Sequence, residues 1–161
     1  MRPRAAACEA DQAAPPRSFD EFERRMRAIA ERGSRGAPGA EAWTGRRAAS
    51  LARRAGACDH LITAAWVHDF ASHFDGPDEA CVASRSAGLL AAVFPEQVLD
   101  PLRWLACAPE PTKAGAAPTR HAIAQGRRLR AYVHAARTCD DDALLSWPLL
   151  LGIARRSSLD G

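Results

Sequence analysis

Apolar residues recur along this chain at spacings of three and four and nowhere in sustained alternation, which predicts helices and no sheet. Phe19, Phe22, Met26 and Ile29 form the first stripe. Ser18 and Glu21 precede it in S-x-x-E order, a capping box that satisfies free N–H groups of the first turn. Gly33 stops this helix, and Gly36, Pro38 and Gly39 make a loop. A second helix is expected from about Ala40 to Ala55, with Gly56 as its C-terminal cap. The third begins near Asp59 and carries Leu61, Ile62, Ala64, Ala65, Trp66, Val67 and Phe70. It is apolar nearly all round, the pattern of a buried central helix. Asp75-Gly76-Pro77 opens a helix over about 77–92. Pro95 begins another, which Pro101 either kinks or restarts. After a loop over 109–118 comes a helix over roughly 119–137, then a last helical stretch over 140–156 interrupted by Pro148. The pattern therefore predicts an all-α, single-domain bundle of six or seven helices over residues 18–156. Residues 1–17, rich in Ala, Pro and charge, read as a disordered leader, and 157–161 as a flexible tail.

Composition narrows this picture without redirecting it. A chain of 161 residues can bury one sizeable core, and 47% apolar with 25% charged residues is ordinary for a globular protein. A formal net charge of +3 is too small to indicate nucleic acid or a membrane surface. The positive charge is nearly all arginine, Lys113 being the only lysine. Groups such as Arg46-Arg47, Arg53-Arg54 and Arg127-Arg128-Arg130 have the fork geometry to grip phosphate or RNA. The plainer reading is solvated helix faces, so nucleic acid is not an expected partner. The five cysteines (Cys8, Cys58, Cys81, Cys107, Cys139) contain no CxxC pair and read as reduced thiols of a cytoplasmic protein. The N-terminal stretch lacks the apolar core of a secretory signal, and no apolar run approaches the ~18 residues a membrane span needs. Trp43, Trp66, Trp104 and Trp147 are expected to anchor the core or an interface.

One stretch carries more than architecture. Residues 48–72 read AASLARRAGACDHLITAAWVHDFAS: an A-x-x-A-G-A-x-D turn leads into an apolar helix that ends on His68-Asp69. Gly88-Leu89, FPEQVLDPLR from Phe94 to Arg103, and RLRAY from Arg128 to Tyr132 follow in order. Together these segments, over about residues 40–137, resemble the HD-domain superfamily. More narrowly, they are similar to its phosphonate-cleaving branch of mixed-valent di-iron oxygenases.

That resemblance implies two metal ions held by about six His and Asp ligands from several helices, and most of those are replaced here. His68 and Asp69 match the pair for which the superfamily is named. Thr44 stands at the upstream His position, Ser84 at the next His, Leu105 at the third and Val133 at the distal Asp. Leu129 and Val133 share an apolar face, so Val133 points inward while the adjacent His134 is turned roughly 100° away. Hydrocarbon there cannot hold a dication. Thr44, Ser84, Leu105 and Val133 are accordingly expected to gather around His68 and Asp69 as vacated ligand positions.

His73 follows Asp69 at i, i+4, a spacing at which two helical side chains can share a metal. The candidate metal ligands are therefore His68, Asp69 and His73, enough for one divalent ion, Fe or Mn, and not for two. The alternative is that His68 and Asp69 are a hydrogen-bonded relic, with His73 at a solvated helix end. The sequence as a whole points to a degenerate HD-domain protein: non-catalytic, without a cofactor, binding a small anionic ligand or a protein partner. The rival is a metal-dependent oxygenase or phosphohydrolase acting on a phosphonate- or phosphate-type small molecule through a mononuclear site.

Overall fold

A computed structural model of the chain describes residues 14–34, 44–75, 82–105, 119–138 and 143–159. Among these residues every regular element is helical: α1 (Phe19–Ser34), α2 (Thr44–Arg54), α3 (Asp59–Val67), the single turn α4 (Ser72–Asp75), α5 (Val82–Leu89), α6 (Glu96–Leu105), α7 (Arg120–Thr138) and α8 (Trp147–Arg156). The loop expected over 109–118 lies outside the described residues, as do the expected helix starts near 40 and at 77.

Local chemistry sets the helix ends. The Ser18 hydroxyl accepts from the Glu21 N–H at 3.3 Å, as the capping box requires. The Glu21 carboxylate reaches one residue further back than the motif predicts, accepting from the Arg17 N–H at 2.8 Å. Pro16 is buried and the Ala14 carbonyl accepts from Arg25, so the last four residues of the expected leader are laid against α1. Between α2 and α3 the chain reverses through Gly56, at φ 71°. Its N–H bonds the Arg53 carbonyl, while that of Ala57 bonds Ala52, both at 3.0 Å. These are the paired bonds of a Schellman cap, which needs a left-handed residue that glycine adopts without a Cβ clash.

The central position of α3 follows from its composition. Every residue from Leu61 to Val67 is buried, and the helix packs against α2, α6, α7 and α8. Around it Phe22 collects the aromatic core, with ring centroids 5.1 Å from Phe94, 5.8 Å from Phe70 and 6.0 Å from Trp66. Such tilted and edge-on pairs add to the free energy of area burial. Trp66 is fully buried and Trp147 packs edge-on against it at 5.5 Å. Trp43 lies outside the described residues.

The later helices decide between one pair of alternatives and correct two expectations. Pro101 sits buried inside a single helix, α6, so the helix does not restart there. Pro148 does not interrupt the last helix but helps begin it. Ser146 is the N-cap, its hydroxyl accepting from the Leu149 N–H at 3.4 Å, and Pro148 occupies the first turn, where a missing N–H costs nothing. Residues 143–146 are non-helical, and α2 holds them. The Arg46 Nε–H donates to the Leu145 carbonyl at 2.7 Å, and the Leu145 N–H donates to the buried Ser50 hydroxyl at 2.9 Å. Finally, the expected flexible tail is docked through residue 159. Ser157 is 1% exposed and tied to Thr63, and the Leu159 N–H bonds the Val93 carbonyl at 2.9 Å.

Candidate functional site

The His68-Asp69 pair sits where α3 ends. His68 is the helix C-cap and is buried at 6% exposure. Its Nδ1–H donates to the Ala65 carbonyl at 2.8 Å, since a carbonyl can only accept. In the neutral imidazole this bond fixes the tautomer, leaving Nε2 as the nitrogen with the lone pair. A backbone carbonyl behind an imidazole is also how metal-ligating histidines are commonly oriented. Asp69 is half-buried, and its Oδ1 is shut off from solvent without a hydrogen-bond partner among the described residues.

The helix does not continue through the pair. Phe70, Ser72, His73 and Phe74 each donate a backbone N–H to the carbonyl three residues earlier, at 3.0 to 3.3 Å. Residues 68–71 form hydrogen-bonded turns, and the single helical turn Ser72–Asp75 follows them. His73 is not the solvated residue of the relic reading: it is half-buried. Desolvation lowers its pKa below the ordinary histidine value, Asp69 acts in the opposite direction, and Arg32 adds to the lowering.

What secures the turn is a residue the sequence does not advertise as functional. Ser86 on α5 is fully buried; its hydroxyl accepts from the Ala71 N–H at 2.9 Å and donates to the His68 carbonyl at 3.2 Å. The Ser72 hydroxyl caps the same turn by donating to the Asp69 carbonyl at 2.6 Å. One signal was readable: Ala83, Ser86, Ala87 and Leu90 share the three- and four-residue spacing of a buried face.

The expected vacated positions are spread over four helices, α2, α5, α6 and α7. Thr44 opens α2, and because α2 and α3 form a hairpin, it stands at the His68 end of α3. Leu105 is partly buried against the core, and Val133 lies within it at 6% exposure. Ser84 is exposed, so the α5 side chain that meets the His68 turn is Ser86, two residues further on. Two residues along a helix is about 200°, enough to reverse the face presented. Among the described residues, no three His, Cys, Asp or Glu side chains are grouped to hold a metal ion. His68, Asp69 and His73 therefore do not constitute a three-ligand centre in this arrangement.

His60 and Cys58 lie at the opposite end of α3, Cys58 as an exposed free thiol, while His121 and His134 are exposed on α7. Cys8, Cys81, Cys107 and Cys139 lie outside the described residues. No helix among the described residues is long and apolar enough to cross a membrane. No protein-family model, curated protein or solved structure matches the chain.

Proposed function

We propose that this chain is a degenerate HD-like protein that acts by binding an anionic partner and not by catalysis. One observation carries the reading: His68 and Asp69 are kept at a buried helix end, yet hydrocarbon occupies two positions where the resemblance would require ligands. Leu105 and Val133 belong to the hydrophobic core, and Ser86 spends its hydroxyl on the backbone of the turn. Two donors hold a dication poorly, and an apolar wall cannot compensate for the water that the ion would lose. The charge distribution favours an anion as partner, because α2 contains four arginines, α7 contains five, and neither has a carboxylate.

A second reading has its own support. The orphaned Asp69 Oδ1 and the lone pair on His68 Nε2 are both donors of the kind that one divalent Fe or Mn would take. A rebuilt mononuclear oxygenase or phosphohydrolase would use them. Elemental analysis of protein expressed with iron and purified without chelator separates the readings, with His68→Ala as control. Absence of stoichiometric metal supports the binding role. About one metal per chain, lost in the control, supports the mononuclear enzyme, and about two irons would restore the di-iron chemistry of the family it resembles.

A further inference from the structure

Several arginines on α1, α6 and α8 meet carboxylates: Arg27 pairs with Glu23 at 2.6 Å, Arg103 with Asp100 at 2.9 Å, Arg155 with Asp20 at 2.7 Å and Arg156 with Asp59 at 2.8 Å. Helix α7 is different. Over 19 residues it holds Arg120, Arg127, Arg128, Arg130 and Arg137 with no acidic residue. Among the described residues none of the five forms an ion pair. The Arg128 guanidinium donates to the Tyr132 hydroxyl at 3.4 Å and that of Arg130 to the Leu105 carbonyl at 3.2 Å. These bonds orient the groups without neutralising them.

Helical geometry lines four of the five up. The buried face of α7 is Ala122, Gly126, Leu129, Val133 and Ala136. Measured from Leu129, at 100° per residue, Arg120, Arg127, Arg130 and Arg137 fall between roughly 80° and 180°, one stripe on the solvent side. His134 lies on the same stripe and is exposed with them. From Arg120 to Arg137 the stripe runs about 25 Å. Like charges at i, i+3 and i, i+4 repel, so the helix accepts a cost that its own side chains do nothing to relieve.

We infer that this face of α7 binds the phosphodiester backbone of a nucleic acid duplex without reading its sequence. The step rests on the anionic-partner reading above and names the surface and the class. The face carries cationic forks flanked by the small residues Ala124 and Ala131; Ile123, half-buried between Arg120 and Arg127, is its one large aliphatic side chain, and it has no aromatic. A protein interface needs an exposed aromatic or large aliphatic anchor at its centre, and single-stranded nucleic acid needs an aromatic platform for its bases. Backbone binding needs neither. A duplex carries one negative charge per ~1.7 Å of its axis over the two strands, so guanidiniums spread along a helix can meet phosphates without contacting bases. The structure thereby changes the weight of the arginine groups: Arg127, Arg128 and Arg130 do lie on solvated faces, but on a helix where no arginine meets a carboxylate among the described residues.

The test is fluorescence anisotropy of the full chain with a labelled DNA duplex of about 20 base pairs, over a salt series starting near 50 mM. Four phosphate contacts predict that log K falls against log salt with a slope of about −3.6. The double variant Arg127→Gln/Arg130→Gln should weaken binding at least tenfold and reduce that slope by about 1.8. Both sites are in the middle of the stripe. Arg127→Lys/Arg130→Lys should retain most of the affinity, and Arg155→Gln on α8 should leave it unchanged. Circular dichroism of each variant confirms that the bundle is intact. No binding at the lowest salt, a flat salt dependence, or an unaffected double variant would overturn the inference. So would poly-glutamate binding as tightly as the duplex, which would assign the face to acidic polypeptides. A metal-free protein that fails to bind DNA loses this inference alone, whereas the non-catalytic reading falls only on the metal analysis.

Discussion

At the residue scale, His73 shows how a position can matter by being enclosed. Burial depresses its pKa, with Arg32 adding to the effect and Asp69 opposing it. Below the ordinary histidine value of about 6.5 the unfolded chain binds a proton that the folded chain resists. The unfolded state then holds more protons, so stability rises with pH through that window. The contribution is complete above about 6.5 and is lost as pH falls from there towards the depressed folded value. Thermal unfolding from about pH 7.5 to about pH 5 should show the melting temperature falling, and His73→Gln should flatten the fall. Other histidines titrate in the same range, so the informative quantity is the difference between the two profiles. Identical profiles would mean that His73 titrates in the folded protein as it does in the unfolded chain. The sequence displayed His73 as a member of an i, i+4 pair or as a solvated helix end. Its surroundings are set after α3 stops at Val67, and no residue type at 68–71 announces that stop.

Elements were legible wherever a local signal and a periodic one agreed. Ser18 with Glu21, and Gly56 after an arginine-ended helix, marked boundaries that the structure reproduces, because capping is chemistry among neighbours in sequence. Pro148 was read as an interruption because its role depends on Ser146 being the cap, a choice made only when Arg46 and Ser50 hold Leu145 in non-helical form. Packing between helices is less legible still. Gly126 looks like a weak point in a long helix, yet there α7 lies directly against Trp104 of α6. A Cβ built there would stand 2.6 Å from the Trp104 Cβ and 3.3 Å from the Trp104 carbonyl carbon. Those atoms belong to the start of a side chain and to backbone, so neither can swing aside. Gly126→Ala should therefore destabilise the bundle by about 1–3 kcal/mol, despite the better helix propensity of alanine. Equilibrium unfolding in denaturant measures it, and a stabilised variant would mean that the two helices separate more easily than their contact suggests. Trp104→Ala should not rescue the fold, because the clash is with atoms that alanine retains.

At the scale of the whole molecule, a buried hydrogen bond joins two residues more than half the chain apart. The Thr63 hydroxyl on α3 donates to Ser157 Oγ at 3.3 Å, 94 residues apart in sequence, and the Ser157 hydroxyl donates to the Ile153 carbonyl at 3.1 Å. Both side chains are about 1% exposed, so neither has water as an alternative partner. The neighbouring Arg156–Asp59 and Arg155–Asp20 pairs tie the same end of α8 to α3 and α1, but they are exposed and contribute little by comparison. The sequence treated Ser157 as the first residue of a tail, since a serine after two arginines carries no periodic signal. Only the place where α8 crosses α3 makes it interior. Ser157→Ala should cost about 1–3 kcal/mol, because it strands a buried donor on Thr63 instead of removing a pair. Adding Thr63→Val replaces that donor with a methyl group of similar shape, and the double variant should recover part of the loss. The coupling is read from a double-mutant cycle of denaturant midpoints for the two single variants and the double. If the losses simply add, the hydroxyls act independently and the end of the chain is held by Leu159 and the ion pairs; recovery in the double variant assigns that role to this buried bond.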